Sequence, residues 1–304
     1  MGRYRGKEDL RAVRNFITER SLPYLLIFPS IIVLASLILY PLCFSLWMSF
    51  YSYELGGLQP QFTGLQNYFR IWKDPVFWLA VRNTIVWVAG SVSGQLLIGM
   101  ALALLINRQI RGRAFFRGVF FFPWVVPIVV TAFTWRWLYN EQYGIINHTL
   151  MSIGIIKHPL FFLSSTELAM ASATLVNIWI GTPFAVVMIL AALQTVPYVQ
   201  YEAARVDGAS ALLEFWHVTL PHLSRIIGIL VLLRTIWITN NFATMWLLTR
   251  GGPSQATETL PIQVYLRAFG ARNFGDASSV AAVMFLMLIA LIMIYLKLLK
   301  VEKE

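Results

Sequence analysis

The stretch Ala277–Leu296 reads Ala-Ser-Ser-Val-Ala-Ala-Val-Met-Phe-Leu-Met-Leu-Ile-Ala-Leu-Ile-Met-Ile-Tyr-Leu, twenty residues without Asp, Glu, Lys or Arg. A helix rises 1.5 Å per residue, so about 20 apolar residues cross the ~30 Å hydrocarbon layer of a bilayer. Charge-free stretches also occupy Ser21–Tyr53, Asn83–Asn107, Gly118–Trp135 and Leu168–Tyr201, and Ile226–Thr249 is interrupted only by Arg234. These runs predict six spanning helices, near residues 22–48, 80–106, 115–138, 168–191, 225–249 and 277–298, in an all-α polytopic membrane protein. They are continuous, whereas a membrane β-strand alternates apolar and polar residues at period two.

The composition of the 304 residues agrees: 58% are hydrophobic and 12% charged, against roughly 25% charged in soluble domains. Too few charges remain to cover a water-exposed surface. The single cysteine, Cys43, argues against a disulfide scaffold. The first apolar stretch is too long for a cleaved signal and lacks a small-residue cleavage site at its end, so it is expected to stay as an anchor.

Lys and Arg set the expected orientation. With six spans, both termini share a side with the loops after spans two and four. That side collects fifteen of the 24 basic residues, among them Arg3, Arg5, Lys7, Arg108, Arg111, Arg113, Arg117, Arg205, Arg225, Lys297 and Lys300. Eight lie opposite (Arg70, Lys73, Arg82, Arg136, Lys157, Arg250, Arg267 and Arg272), leaving Arg234 inside a span. Both ends are therefore expected in the cytoplasm. The net charge of +10 reads as a topology signal, not as a nucleic-acid footprint.

Signatures of catalysis are missing. The only Gly-Lys pair, Gly6-Lys7, is followed by Glu8, so no Walker phosphate loop is present. The four histidines form no His-Glu-x-x-His, one cysteine cannot build a thiolate zinc site, and no Gly-x-Ser-x-Gly elbow occurs. The chain is expected to be a non-catalytic subunit without a cofactor or metal of its own.

The loop between spans four and five runs Gln194-Thr-Val-Pro-Tyr-Val-Gln-Tyr-Glu-Ala-Ala-Arg-Val-Asp-Gly-Ala209 and continues to Pro221. Read as a helix starting after Pro197, it places Ala204, Gly208 and Ala211 or Leu212 on one face. Small residues permit close approach to a partner, and Glu202 and Asp207 supply charge. A docking helix and a helix lying on the membrane surface both fit this pattern.

Polar groups inside a span are site candidates, because they cost free energy unless they face protein or water. Span five carries Arg234, Thr239, Asn240 and Asn241 among Trp237 and Phe242, and spans three and four carry Trp124, Trp135, Asn177, Trp179 and Phe184. Aromatic faces and amides suit a sugar, but interfacial belts and interhelical hydrogen bonds explain the same residues. Arg234 fits an anionic solute such as a uronate or phosphate, and equally fits snorkelling or pairing with a neighbouring subunit.

Glu202-Ala203-Ala204, Gly208 four residues on, and Val218-x-Leu220-Pro221 ten residues after that glycine resemble the EAA loop of ATP-binding-cassette importer permeases. The resemblance extends to the carbohydrate-uptake branch through Gly64-Leu-Gln-Asn-Tyr68, Asp74-Pro75-x-Phe77-Trp78, Arg111-Gly112-Arg113, Pro123-Trp124-x-x-Pro127 and Leu248-Thr249-x-Gly251-Gly252-Pro253. The resemblance implies the type I importer permease fold in a bacterial cytoplasmic (inner) membrane. Its implied partners are a second permease, two cytoplasmic ATPase subunits that hold ATP and Mg, and an extracytoplasmic solute-binding protein.

Within that resemblance, Glu202, Ala203, Ala204, Asp207 and Gly208 are the implied ATPase-coupling residues. Trp124, Asn177, Ile180, Gly181, Phe184, Arg234, Ile238 and Asn241 match sugar-contacting positions. Trp124 and Phe184 stand where maltose-type permeases have tyrosines, Ile238 replaces an asparagine and Arg234 a serine, which argues against maltose itself. The expected layout is a basic N-terminal segment 1–21, a permease domain 22–298 containing the coupling loop 192–224, and a tail 299–304. The alternative is an ion-coupled secondary transporter. It would call for an intramembrane Asp or Glu and an internal repeat, and no acid lies in any expected span.

Overall fold

The computed structural model describes residues 23–54, 59–108 and 112–301. The expected N-terminal segment 1–21 and tail residues 302–304 lie outside these.

Helix α1, Pro23–Met48, contains one wide turn in which Tyr40 N–H donates to Ala35 O. The turn accommodates Pro41, which has no N–H to give. Two short strands, β1 (Tyr51–Ser52) and β2 (Gln61–Phe62), pair antiparallel. Helix α2 (Gln66–Lys73) follows, and then α3 (Pro75–Asn107). Asp74 caps α3 by accepting from Val76 N at 2.9 Å, with Pro75 at the first helical position, where a missing N–H costs nothing.

The third expected span is not one helix. Helix α4 (Arg113–Val125) and helix α5 (Ile128–Leu138) meet at a bend of 106°. Pro127 holds Val126 extended, at ψ 127°, so the helix stops there. Helix α6 (Ile145–Ser152) leads to α7 (Ala169–Leu193), then α8 (Tyr198–Val206) and α9 (Ala211–Thr239). Inside α9, Leu220 N–H donates to Phe215 O, a wide turn just before Pro221.

The fifth span is also interrupted, since α9 ends at Thr239 and α10 (Phe242–Thr249) starts afresh. Asn241, with ψ 90°, breaks the run, and its Oδ1 accepts from Thr244 N at 3.1 Å. Helix α11 (Leu260–Tyr265) continues through a wide turn at Leu266–Gly270, and α12 (Phe274–Val301) closes the described chain. Five helices are thus long and apolar enough to cross a membrane, and the bent pair α4–α5 makes a sixth if it counts as one span.

Helices α3 and α7 form the centre of the bundle. Gly90, Gly94 and Gly99 on α3 face Thr174, Ile178 and Ala185 on α7, and a Cβ at Gly99 would stand 2.7 Å from that of Ala185. Small residues at this spacing let two helices approach closely where lipid offers no hydrophobic drive for association. Ala103, Ile106, Ala185, Val186, Ile189, Leu223 and Leu230 fill the contact at one end. Trp87, Val176, Ile238 and Met245 fill it at the other.

One end of the bundle is tied by polar groups. Asn67 Nδ2 donates to Ser49 O and Tyr51 O, both at 2.9 Å, and Arg70 pairs with Asp276 at 2.9 Å. Arg267 pairs with Asp74 and lies 3.8 Å from Asp276. These contacts join the ends of α1, α2, α3 and α12.

Candidate functional site

Two places carry the candidate residues. The first is the hairpin α8–α9. Pro197 stands at the N-cap of α8, and the helix ends at Val206, so the expected face shared by Ala204, Gly208 and Ala211 or Leu212 does not exist. Gly208 instead sits in the turn with φ +82°. Its N–H donates to Arg205 O at 3.0 Å and Ala209 N–H to Ala204 O at 2.9 Å, the paired bonds of a Schellman stop. Ser210 Oγ then accepts from Leu213 N at 3.4 Å to open α9.

Glu202, Ala203, Asp207 and Gly208 are exposed and Ala204 half-buried. Val206 is 88% exposed, the extreme for a large apolar residue among those described. A second contact closes the hairpin: Arg205 Nε donates to Glu214 Oε1 at 2.8 Å and Nη2 to Oε2 at 3.4 Å. That bond holds the Arg205 proton more tightly than usual. Tyr201 Oη lies 2.9 Å from Thr219 Oγ1. Arg205 and Glu214 are nine residues apart, too far for a helical pair, so the sequence carried no signal for this contact.

The second place is where α7 meets α9 and α10. Asn177, Ile180, Gly181 and Phe184 fall at i, i+3, i+4 and i+7, one face of α7. Asn241 Nδ2 reaches Asn177 Oδ1 at 3.5 Å, while the buried Asn177 Nδ2 has no partner among the described residues. Arg234 points at the same face: its guanidinium carbon lies 6.0 Å from the Phe184 ring centre and 5.8 Å from that of Trp237. Trp124 reaches the group through Phe184, with ring centres 6.1 Å apart. A Cβ at Gly181 would collide with Arg234 and Gln95.

Ile238 departs from the expected set. Its side chain is 1% exposed and belongs to the core with Trp87, whose Nε1 donates to Ile238 O at 3.2 Å. Ile180 packs against the same core. Conversely, Gln95 belongs to the site and was missed. Its Oε1 accepts from Arg234 Nε at 2.6 Å and its Nε2 donates to Asn177 O at 2.8 Å. An amide deep in the charge-free run Asn83–Asn107 was the available signal.

Together these features define a polytopic helical membrane protein with a polar, aromatic face in its bundle and an exposed helical hairpin at one end. The chain belongs to the binding-protein-dependent transport system inner membrane component family, which matches residues 95–300. It is 33% identical over 285 residues to the sulfoquinovosyl glycerol transport system permease protein SmoG of Agrobacterium fabrum, covering 93% of this chain and 92% of that one. It is likewise 33% identical over 282 residues to the trehalose/maltose transport system permease protein MalF of Thermococcus litoralis, covering 92% and 94%. The fold is similar to a chain in the crystal structure of a bacterial ABC transporter involved in import of the acidic polysaccharide alginate. There the TM-score is 0.81 at 22% identity, with 94% of this chain and 98% of that one covered.

Proposed function

We propose that the chain is the permease subunit of an ATP-driven, binding-protein-dependent importer of a sugar or sugar-like solute. An oligosaccharide, neutral or anionic, a monosaccharide, a polyol or glycerol phosphate fits this reading. The chain forms half of a translocation path with a second permease, and both termini lie in the cytoplasm. Two ATPase subunits bind ATP and Mg, and the permease itself performs no chemistry. The carrying observation is the hairpin: an exposed helix, Tyr198–Val206, stopped by Gly208 and clasped by Arg205–Glu214 to α9, which runs on to Arg234.

Such a hairpin converts a partner's movement into movement of the bundle. Force on Glu202 or Val206 passes through the Schellman turn and the clasp into α9, and α9 carries the site at its other end. Transport is then a two-state rocking of packed helices, biased by contacts that differ between the states. The relatives support a carbohydrate solute, because their names specify sulfoquinovosyl glycerol and trehalose/maltose.

The test is purification of the tagged chain from its native membrane. Co-isolation with an ATPase and a second permease, and ATP hydrolysis stimulated by the solute-loaded binding protein, is the expected result. An active carrier isolated repeatedly without an ATPase would support the ion-coupled alternative and overturn the proposal.

A further inference from the structure

A charge inside the bundle has to be neutralised, hydrated or used. Arg234 lies twenty residues beyond Glu214 in α9, about 30 Å along the helix. It does not extend toward either end of the span, because its Nε is fixed to Gln95 Oε1 at 2.6 Å, midway along α3. Gln95 is itself 1% exposed and held to the Asn177 carbonyl. Gly181 leaves the space that both side chains occupy.

No carboxylate answers this cation among the described residues. Helices α1, α3, α4, α5, α7 and α10 contain no Asp or Glu. Glu214 in α9 is paired with Arg205, and Asp276 in α12 with Arg70 and Arg267. With Nε taken by Gln95, the two terminal nitrogens of Arg234 make no hydrogen bond among the described residues. They form the fork that receives an oxyanion through two parallel bonds.

The surroundings match a sugar that carries the anion. Trp124 and Trp237 are about half exposed (57% and 49%) and flank the guanidinium through Phe184. Such rings offer flat apolar faces for a pyranose. Asn241 is only half-buried and sits beside the unpartnered Asn177 amide, so hydroxyl partners lie next to the charge.

We infer that Arg234, positioned by Gln95 and the gap at Gly181, is an anion receptor, and that the solute is an acidic sugar bearing a carboxylate, sulfonate or phosphate. This rests on the importer reading above. The shared chemistry is one oxyanion on a ring that presents an apolar face.

The experiment uses the full complex in proteoliposomes with its cognate binding protein. The probes are hexuronate mono- to tetrasaccharides, their carboxyl-reduced neutral forms, a 6-sulfo hexose glycoside and a hexose 6-phosphate. An anionic member is expected to be bound and taken up, and the arm that responds identifies which oxyanion it is. Arg234→Gln is expected to lower the ratio of anionic to neutral uptake tenfold or more, and Arg234→Lys to retain part of the preference. Gln95→Glu, which puts a carboxylate against the same guanidinium, is expected to reduce anionic uptake likewise.

Response to neutral probes alone, or to none of the anionic ones, overturns the inference. So does an equal loss of both forms in Arg234→Gln, the outcome if Arg234 instead pairs with a carboxylate of the second permease. Failure of the importer reading looks different: no ATPase co-isolates, and ATP drives uptake of no probe, charged or neutral.

Discussion

Gln95 Oε1 accepts a hydrogen bond from Arg234 Nε at 2.6 Å, joining two helices across 139 residues of sequence. A hydrogen bond to a charged group contributes about 1.5–3 kcal/mol, and Gln95 also binds the Asn177 carbonyl at 2.8 Å. Gln95→Leu is therefore expected to destabilise the bundle by about 2–3 kcal/mol, measured as a lowered thermal unfolding midpoint of the detergent-solubilised protein. An unchanged midpoint would show that the bond has no structural weight.

Two glycines on the α3–α7 contact predict different outcomes. At Gly99 the added Cβ meets Ala185, whose backbone carbon is 3.4 Å away and cannot yield. Gly99→Ala should cost about 1–3 kcal/mol in stability. At Gly181 the obstacles are the hydrogen-bonded ends of the Arg234 and Gln95 side chains. Gly181→Ala should break that bond, lowering stability about as much as Gln95→Leu, and should also lose most solute uptake. Gly99→Ala should lower stability with uptake per folded complex retained, so thermal unfolding and uptake measured together separate the two sites.

Gly208 holds φ +82° with nothing within 4 Å of where a Cβ would lie. Its replacement meets conformational strain alone, about 1–2 kcal/mol for Ala, confined to the turn. Gly208→Ala should weaken solute-stimulated ATP hydrolysis in the reconstituted complex. Gly208→Pro, which also removes the N–H bonded to Arg205 O, should abolish it while the chain still accumulates in the membrane. Normal ATP-driven uptake by the proline variant would remove the coupling role.

The Arg205–Glu214 clasp is exposed on the Arg205 side, so solvent screens it and it adds little to stability. Its effect should fall on coupling. Arg205→Glu and Glu214→Arg alone should each lower stimulated ATP hydrolysis severalfold, and the double exchange should recover it. Absence of recovery would mean that Arg205 acts through a partner and not through Glu214.

Glu258 is buried, and desolvation, opposed by Arg267 and reinforced by Asp74, holds its carboxyl above the usual range. A carboxyl raised in the folded state binds protons more readily there than in the unfolded chain. Its favourable contribution is complete below the ordinary Glu value, about 4.3, and is lost as pH rises through the raised folded value. Glu258→Gln should unfold at a higher temperature than the native chain near neutral pH, with the difference shrinking in acid. A constant difference across pH would rule out this titration.

The legible part of the fold was the part governed by length and composition. The helices at 75–107, 169–193 and 274–301 lie where charge-free runs placed them, because a bilayer demands about 20 apolar residues per crossing. Charge counting could not reveal the breaks at Val126-Pro127 and Asn240-Asn241, since prolines and asparagines carry no charge while redirecting the backbone. The helix Tyr198–Val206 was legible in its start at Pro197 but not in its stop. A glycine at helical spacing looks like a small contact residue until its φ is known.

The candidate site divides the same way. Sequence alone singled out Arg234, Asn177 and Asn241, because polar groups in an apolar run need a reason to be there. Only the tertiary structure could bring Gln95 to Arg234, withdraw Ile238 into the core and leave Trp124 and Trp237 open. Those outcomes depend on which faces of α3, α7 and α9 meet, and helix contact faces are set by side-chain packing across long sequence separations, not by any local pattern.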